Sequence, residues 1–461
     1  MSSLRRMGIA FGLAGAALAA PARSLAAQDT QYWSDAYGTQ ARLLGGVVIG
    51  SDADISAMYY NPGAIALADS LQLLISLNAL RYSSLGYSVT PVQNVPSSTG
   101  WSALSNMFAA TIPIGGKDSH QRLAVGLLTR QSFVFGAQLR DIPLDSFIPV
   151  PPPSPTFSVG NALVNQSMSE VWPGATYSWA QSKRWGFGAS LFIPIRGQTW
   201  SQSISSQVVN GLGQTALAVR EYDFSYYNWA LLVKLGAQFK AGDGWSAGLT
   251  LTTPRLSLFG GADVGATSSY VDQGVAGGGG SSQIATNYQP NLSASYRSAL
   301  SVGFGLGKRW TKTSLDIAAE WFASVPKFTI IPAMPFTPQT GGAPIDMALT
   351  AQYRSVFDWG VGVQQILGPH LDLYGAFKTD GTSIPSGVRS VGTLVNWNLL
   401  HADAGVQGTI GRVGIILGFD FAWGSRNGQI SGASPPGLPQ LPAVDESFFS
   451  VTGALGFKFT Y

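Results

Sequence analysis

The sequence GALGFKFTY, which occupies Gly453–Tyr461, alternates between two kinds of residue. Tyr461, Phe459, Phe457 and Leu455 stand at every second position, and Thr, Lys, Gly and Ala stand between them. A period of two is typical of a β-strand with one apolar face and one mixed face. Because chain ends usually fray and carry little pattern, we expect this strand to be built into the fold and to close it.

The first residues are typical of a secretory signal peptide. Arg5 and Arg6 precede the apolar run MGIAFGLAGAALAA, and small residues follow it. A membrane-spanning helix needs about 20 apolar residues, so we assign 1–26 to a signal peptide that is cleaved near Ala26. Its removal leaves 24 of the 27 basic residues, equal to the 24 acidic residues. A neutral chain argues against binding to nucleic acid, which is driven by phosphate neutralisation.

The composition predicts a chain that faces lipid. Charged residues make up 11% of the sequence, whereas ordinary soluble domains contain about 25%. No run of about 18 apolar residues that could form a spanning helix follows the signal peptide. A closed β-barrel is the other structure that satisfies every backbone polar group in a bilayer. The chain contains no cysteine, which excludes disulfides and thiolate metal sites.

Alternation recurs along the chain and predicts an all-β fold, a transmembrane antiparallel barrel of about 14 strands over 69–461. Short connections such as Gln181–Arg184 and Ala241–Gly244 alternate with long ones, and tryptophans flank the short turns. Trp229 and Phe239 share one face, and their separation gives a tilted strand a height of about 25 Å. A soluble β-sandwich is the alternative, since alternation alone also fits it. The predicted spans are 70–82, 103–114, 121–134, 168–181, 184–197, 222–240, 244–258, 288–308, 312–325, 351–367, 371–380, 392–410, 413–425 and 446–461.

The residues between the signal peptide and the first strand, 27–68, are predicted to fold inside the barrel as a hatch, or plug. A free polar tail is the alternative, but this segment is rich in Ala, Val, Ile, Leu and Tyr. Disordered segments lack such apolar content. A barrel of this width is not filled by its own side chains, so we expect the N-terminal segment to fill it.

Gly45–Leu67, with the sequence GGVVIGSDADISAMYYNPGAIAL, resembles the hatch of the FadL/TodX-type outer-membrane transporters of long-chain fatty acids and aromatic hydrocarbons. The sharpest part of the resemblance is a motif made by Asp52, Asp54, Tyr60, Asn61 and Pro62. The strand count and the terminal aromatic strand extend the resemblance over the mature chain. The family usually has Ala directly after Asn-Pro, whereas Gly63 precedes Ala64 here, so we expect a different local turn.

The resemblance implies a bacterial outer-membrane protein that captures hydrophobic molecules at outside loops, here 198–221 and 259–287, binds them in the lumen and releases them after a hatch shift. In this family the exit is a lateral gap at a kink in the third strand. Here the alternation of LAVGLLTRQSFVFG fails around Leu128, Thr129 and Arg130, which indicates a bulge.

The expected partners are a hydrophobic small-molecule substrate, outer-membrane lipid and the machinery that inserts barrels into the membrane. The insertion machinery would read an apolar terminal signal made by Leu455, Phe457, Phe459 and Tyr461. We expect the protein to be a monomer.

The sequence offers no motif for an enzyme, a cofactor or a metal. His120, His370 and His401 share no spacing that could bind zinc. The stretch GFGLGK at Gly303–Lys308 has glycines at every second position within a strand. That pattern indicates close packing against the hatch rather than a phosphate-binding loop.

Three basic residues are candidates to meet a substrate carboxylate on the lumenal face: Arg297, Arg354 and Lys378. A buried anion requires a cationic partner, although such residues also form purely structural pairs. Two other functions stay open. A general porin for polar solutes has a water-filled lumen and commonly about 16–18 strands, and a structural or adhesive surface barrel needs no lumenal site.

Overall fold

The computed structural model describes residues 30–51, 54–68, 70–88, 95–114, 120–139, 157–275, 280–341, 344–385, 397–426 and 445–461. The predicted signal peptide, residues 27–29 of the predicted hatch and Asp52 of its motif lie outside these ranges. Within the described ranges, no helix is long and apolar enough to cross a membrane.

The described residues form three short helices and nineteen strands. The helices are α1 (Gln40–Leu43), α2 (Ala57–Tyr60) and α3 (Pro62–Ile65). The strands are β1 (Gln72–Ser88), β2 (Val95–Pro113), β3 (Gln121–Leu139), β4 (Phe157–Ala180), β5 (Trp185–Phe192), β6 (Ile195–Val209), β7 (Thr215–Lys240), β8 (Trp245–Thr252), β9 (Leu256–Asp272), β10 (Ser281–Ser293), β11 (Ser301–Arg309), β12 (Thr313–Phe322), β13 (Val325–Ile331), β14 (Leu349–Tyr353), β15 (Val356–Ile366), β16 (Leu371–Asp380), β17 (Leu399–Ile410), β18 (Val413–Arg426) and β19 (Asp445–Thr460).

Seventeen of the strands pair in one antiparallel sheet, in which β1 pairs with β19, so the sheet closes on itself, and β13 and β14 pair with each other in a second sheet. A pass is one traverse of the chain along the barrel wall, from one end of the barrel to the other. Five passes are each divided into two strands: β5 with β6, β8 with β9, β10 with β11, β12 with β13, and β14 with β15. The nineteen strands therefore make fourteen passes. This arrangement confirms the predicted antiparallel barrel of 14 strands.

The half of the barrel next to the short turns, which we call the lower half, is apolar outside and carries both polar and apolar side chains inside. On β7, Leu235 is 43% exposed, whereas Lys234 and Gln238 are buried. On β8, Leu249 is exposed and Thr250 is buried. A continuous exposed apolar band is stable in contact with lipid tails, not with water. The lower half is therefore the part of the protein that spans the membrane.

The prediction of outside loops at 198–221 and 259–287 is wrong. Most of these residues form strands that extend the barrel beyond the lower half, into a region that we call the upper half. β6 pairs with β7 up to Val209 and Thr215, and β9 pairs with β10 in the same way. Outward-facing Thr199 is exposed, and inward-facing Trp200 and Ile204 are 2% exposed. The alternation persists here with its polarity reversed, which explains why these residues resemble loops in the sequence.

The divided passes break at one level of the barrel. The strands below the breaks, β5, β8, β11, β12 and β15, contain 8, 8, 9, 10 and 11 residues. At about 3.3 Å per residue and a tilt of about 40°, these lengths correspond to heights of about 20–28 Å, close to the apolar band of about 25 Å. Pro194 and Pro254 lie at two breaks, where the missing N–H prevents a ladder bond. We call this level the ring of breaks.

Residues 30–68, which we call the N-terminal segment, lie inside the lower half. Tyr37 and Met58 are fully buried. The segment contacts strands on opposite sides of the barrel, including an ion pair with Arg81 on β1, a hydrogen bond from Lys378 on β16 and one to Gln238 on β7. Contacts in all these directions place the segment within the lumen.

Glycines in the wall let the backbone of the N-terminal segment approach closely. A Cβ atom on Gly248 would overlap the carbonyl oxygen of Ile49, and one on Gly305 would overlap the amide nitrogen of Gly50. Since only glycine lacks the Cβ atom, no other residue fits these two contacts without movement. The interpretation of GFGLGK as a packing surface is confirmed.

The last strand joins the barrel at both of its edges. Phe459 stands opposite Leu73 of β1 and Val413 of β18. The amide of Tyr461 donates to the carbonyl oxygen of Leu71 at 3.0 Å, and its hydroxyl donates to the carbonyl oxygen of Thr111 on β2. The final residue therefore ties the last strand to the first two, as the terminal pattern predicts, and its reading by insertion machinery stays a prediction.

Candidate functional site

A cavity of about 80 Å³ lies in the lumen at the ring of breaks. Part of its lining comes from irregular backbone at that level: Arg130 within β3, Arg255 between β8 and β9, and Ala299 between β10 and β11. Tyr32 and Tyr59 of the N-terminal segment complete the wall. The breaks therefore supply the side chains of this central cavity.

The buried carboxylate of Glu170 pairs with two arginines that line the cavity. Oε2 of Glu170 accepts a hydrogen bond from Nη1 of Arg196 at 3.0 Å. Oε1 accepts from Nη2 of Arg255 at 2.6 Å and from the indole nitrogen of Trp172 at 2.7 Å. All four side chains are at least nine-tenths buried. A buried charge is stable when it is paired and its lone pairs are occupied, and Glu170 meets both conditions.

One tyrosine ring lies against both guanidinium groups of this cluster. The guanidinium carbons of Arg196 and Arg255 lie 4.1 Å and 4.8 Å from the centroid of the Tyr296 ring. The hydroxyl of Tyr296 is 2.8 Å from that of Tyr353, and Nε of Arg196 donates to the hydroxyl of Tyr226 at 2.9 Å. Cation–π contacts of this kind are strong where water is excluded, so the arginines are held in fixed positions.

A β-bulge brings a further arginine into the cavity. The register between β3 and β4 shifts between Thr129 and Gln131, which leaves Arg130 in the bulge. Nη2 of Arg130 donates to the carbonyl oxygen of Tyr32 at 2.7 Å, and its guanidinium carbon lies 5.9 Å from the Trp172 ring. The bulge lies where the sequence alternation fails, and it aims a long cationic side chain at the lumen.

The wall is open next to this bulge. β2 and β3 pair from Pro113 and Arg122 to Met107 and Leu128. Beyond that last pair, no pairing joins the two strands within the described residues, although β2 continues to pair with β1 and β3 with β4. Backbone groups on both sides of a gap thus lie at the ring of breaks.

A second charged group joins the cavity to the N-terminal segment. Oε1 of Glu320 accepts from the hydroxyl of Ser301 at 2.6 Å, and Oε2 accepts from the indole nitrogen of Trp33 at 3.0 Å. Nζ of Lys234 lies 3.9 Å from Glu320 and 5.0 Å from the centroid of the Tyr59 ring. Burial raises the pKa of the Tyr59 phenol above its usual value, so this side chain stays neutral at physiological pH.

Two residues of the predicted hatch motif fix the fold of the N-terminal segment itself. Oδ2 of Asp54 accepts from the amide of Thr39 at 2.8 Å, immediately before α1. The Tyr60 hydroxyl accepts from the amide of Tyr37 at 2.7 Å. These bonds satisfy the buried backbone donors of Tyr37 and of Thr39, the N-cap residue of α1.

The other two described residues of the motif attach the segment to the barrel. Nδ2 of Asn61 donates to Oε1 of Gln238 at 2.7 Å and to the carbonyl oxygen of Ile49 at 2.9 Å. The carbonyl oxygen of Pro62 accepts from the hydroxyl of Ser178 at 2.7 Å. The motif therefore places this turn against β4 and β7.

The departure from the family pattern at Gly63 has a steric reason. A Cβ atom at this position would lie 2.7 Å from the carbonyl oxygen of Gly186 and 2.8 Å from that of Gly236. Real Cβ atoms do not approach oxygen so closely, so alanine would require movement. Glycine at 63 therefore matches the close approach of the wall at Gly186 and Gly236.

The structure leaves Arg297 and Arg354 exposed, so neither is a buried cation of the lumen. They lie in the breaks at 294–300 and 354–355, where the alternation between faces is interrupted. Lys378 is buried as expected, but its Nζ donates to the carbonyl oxygen of Trp33 at 2.6 Å. None of the three lines the central cavity.

Glu170, Arg196 and Arg255 are charges of the central cavity that sequence reasoning missed. The local signal for the two arginines is a charge close to a proline inside a strand pattern. Arg255 directly follows Pro254, and Arg196 stands two residues after Pro194. Because such prolines mark strand breaks, charges next to them are candidates for lumenal positions.

A second, larger cavity of about 390 Å³ lies beside the short turns. Its polar lining includes Ser51, Lys240, Arg309 and Asp316. The two cavities touch the same strands: Thr252 and Ser301 line the upper one, and Ser246 and Gly307 line the lower one. The contacts of Ile49 and Gly50 with Gly248 and Gly305 lie between them.

The comparisons with known proteins concern the fold. No protein-family model and no curated protein sequence matches the chain. Solved structures do: the toluene transporter TodX of Pseudomonas putida (TM-score 0.57, 13% identity, 93% of this chain and 98% of that chain) and the toluene transporter TbuX of Ralstonia pickettii (0.53, 12%, 93% and 99%). A FadL homologue of Pseudomonas aeruginosa matches similarly (0.55, 12%, 95% and 99%). The chain therefore has the fold of the FadL- and TodX-type outer-membrane channels.

Proposed function

We propose that this protein carries hydrophobic small molecules across the bacterial outer membrane and binds them in the central cavity. The observation that supports the proposal is an aromatic-lined cavity enclosed by a barrel whose outer face is apolar. Ligand sites are typically concave, mostly apolar and provided with a few fixed polar groups. Monoaromatic hydrocarbons and long-chain fatty acids are the cargo classes that the resemblance implies.

In this proposal, residues 27–68 act as a hatch. The N-terminal segment stands between the central cavity and the lower cavity, with Ile49 and Gly50 against glycines of the wall. Polar contacts at Asn61 and Pro62 hold it there. A shift of this segment is the step that releases cargo from the central cavity.

The proposed exit is the gap between β2 and β3. The gap begins beyond Met107 and Leu128, at the level of the cavity, and Arg130 at the bulge lines that cavity. The ring of breaks lies where the apolar outer face of the lower half ends, so an apolar molecule that leaves through the gap at this level enters the membrane at the edge of its lipid layer.

Filling the cavity tests the function. Ala299 lines the cavity, and Ala299→Phe places a ring in its free volume of about 80 Å³. We expect uptake of labelled toluene and hexadecanoate by cells that produce the protein to fall to background. Ala175→Phe, on the exposed outer face, is the matched control and leaves uptake unchanged. Normal uptake with Ala299→Phe in a folded barrel would refute the assignment of the cavity.

Removal of residues 27–68 tests the hatch. Without them a barrel of 14 strands encloses a water-filled hole, so conductance in planar bilayers rises sharply while heat-modifiable migration on gels shows a folded barrel. Unchanged conductance would mean that the segment does not close the lumen.

A cross-link tests the exit, since the chain has no native cysteine. Asn106 and Thr129 stand just beyond the last pair of β2 and β3, and the first double variant replaces both with cysteine. Phe108 and Leu127 form the pair just below that last pair, and the second double variant replaces both of these. A bifunctional maleimide across the first pair blocks uptake, whereas the same reagent across the second has no effect. Equal uptake in both would rule out this exit.

A further inference from the structure

The central cavity carries more positive than negative charge. Four basic and two acidic side chains line it: Arg130, Arg196, Lys234, Arg255, Glu170 and Glu320. Glu170 binds two of the arginines, and Glu320 lies beside the lysine. The formal excess inside a low-dielectric lumen is therefore positive. Such an excess is stabilised by a bound anion.

Some of these cationic groups have free donors. In the part of the chain that the structure describes, Nε and Nη1 of Arg255 and Nη1 of Arg130 have no hydrogen-bond partner. Both residues line the cavity and are 7% exposed. A guanidinium group is a planar set of donors that matches a carboxylate, so these N–H groups are suited to carboxylate oxygens.

The remaining walls favour a flat ring. Tyr32 stacks on Phe322 with 4.1 Å between the ring centroids, and Trp172 and Tyr296 also line the cavity. A free volume of about 80 Å³ is smaller than the about 150 Å³ of an apolar cavity that binds benzene. A single ring enters with local movement of side chains, whereas a long acyl chain requires a much larger opening.

We propose that the central cavity selects a monocyclic aromatic carboxylate of the benzoate type. Its carboxylate accepts hydrogen bonds from the guanidinium of Arg255, with Arg130 as a second cation, and its ring lies among Tyr32, Trp172 and Tyr296. This inference rests on the proposed function, because it assumes that the central cavity holds the cargo.

Equilibrium dialysis of the purified full chain in detergent, with labelled ligands, tests the proposal. We expect benzoate to bind about tenfold or more tightly than toluene, the scale of a charge-assisted hydrogen bond. Hexanoate, which keeps the carboxylate but lacks the ring, binds more weakly than benzoate. Tighter binding of toluene than of benzoate would overturn the carboxylate preference and leave the proposed function standing. If neither benzoate, toluene nor hexadecanoate binds, both proposals fail.

The affinities of linear carboxylic acids of increasing chain length distinguish a preference for aromatic carboxylates from a preference for fatty acids. If affinity rises by roughly fourfold for each added CH₂ group, as burial of an acyl chain predicts, the cargo is a fatty acid and the aromatic preference is overturned. Flat affinity beyond six carbons, together with tight benzoate binding, supports it.

Substitution of Arg255 tests the site itself. Arg255→Met lowers benzoate affinity about tenfold or more and changes toluene affinity less than twofold. Arg255→Lys keeps the charge and the pair with Glu170 but loses the planar donors. Its benzoate affinity therefore tests the site if Arg255→Met does not fold. Arg297→Met, an exposed residue outside the cavity, is the control. Unchanged benzoate affinity in either folded Arg255 variant would overturn the assignment.

Discussion

The two ends of β7 differ in the polarity of their outward and inward faces. In the lower half, Leu235 faces outward and is 43% exposed, whereas Lys234 and Gln238 are buried. In the upper half, Asp223 is exposed and Phe224 is 2% exposed. One strand thus changes the polarity of both faces along its length. The medium outside explains the change, because lipid surrounds the lower half and water surrounds the upper half.

The central cavity lies where the two halves meet. Tyr226, between the two stretches of β7, accepts a hydrogen bond from Arg196. Charged side chains reach the cavity from the wall of the lower half, as Lys234 does, and aromatic rings such as Tyr296 belong to the apolar core above. The cavity therefore combines cationic side chains with aromatic rings because it lies at the junction of the two halves. Neither half alone could form such a site.

The largest effect that tests this comparison is a charge on the outer face. Leu235→Arg places a cation in contact with lipid and lowers the free energy of unfolding by about 2–4 kcal/mol. Thr199→Arg, on the outer face of the upper half, changes it by less than about 0.5 kcal/mol. Urea titration in lipid vesicles, followed by tryptophan fluorescence, measures both. Equal effects would mean that the medium outside does not change along the barrel.

The lower half could be predicted from the sequence because its alternation is uninterrupted. The terminal strand and the glycines of Gly303–Lys308 follow from period-two reasoning, the packing of the N-terminal segment follows from its apolar content, and all of them occur in the structure. The upper half could not, since the stretch that contains Thr199 and Trp200 reverses the rule that apolar residues face outward.

The way in which the charged residues meet could not be predicted, for a different reason. Glu170, Arg196 and Arg255 come from three distant stretches of sequence and meet because of strand order and breaks. A break also interrupts the alternation between faces, so the face that Arg297 occupies does not follow from the strand pattern. Long-range register, not local pattern, decides such contacts.

A smaller effect is expected from the contact between the N-terminal segment and the wall. Gly248→Leu inserts a side chain where the carbonyl oxygen of Ile49 lies, and overpacking of this kind costs about 1–3 kcal/mol. The segment is displaced, and bilayer conductance rises. At Gly408 an added Cβ meets no atom within 4 Å, so Gly408→Leu leaves conductance unchanged. Low conductance in both variants would show that the wall glycines do not position the segment.

The smallest effect concerns one hydroxyl at the seam of the lower half. The Tyr461 hydroxyl donates to the carbonyl oxygen of Thr111, and in the upper half the Tyr222 hydroxyl donates to that of Met347 at 3.2 Å. Tyr461→Phe and Tyr222→Phe each remove one hydrogen bond, worth about 1 kcal/mol.

The two substitutions differ in what they touch. Tyr461 links the last strand to β1 and β2, so Tyr461→Phe slows the appearance of the heat-modifiable folded form in vesicles. Deletion of Tyr461 removes the ring as well and slows it further, as expected if insertion machinery or the membrane interface uses that ring. Tyr222→Phe affects a contact within the upper core and leaves the insertion rate unchanged. If both substitutions slow insertion equally, closure at the short-turn edge is not the step that Tyr461 controls.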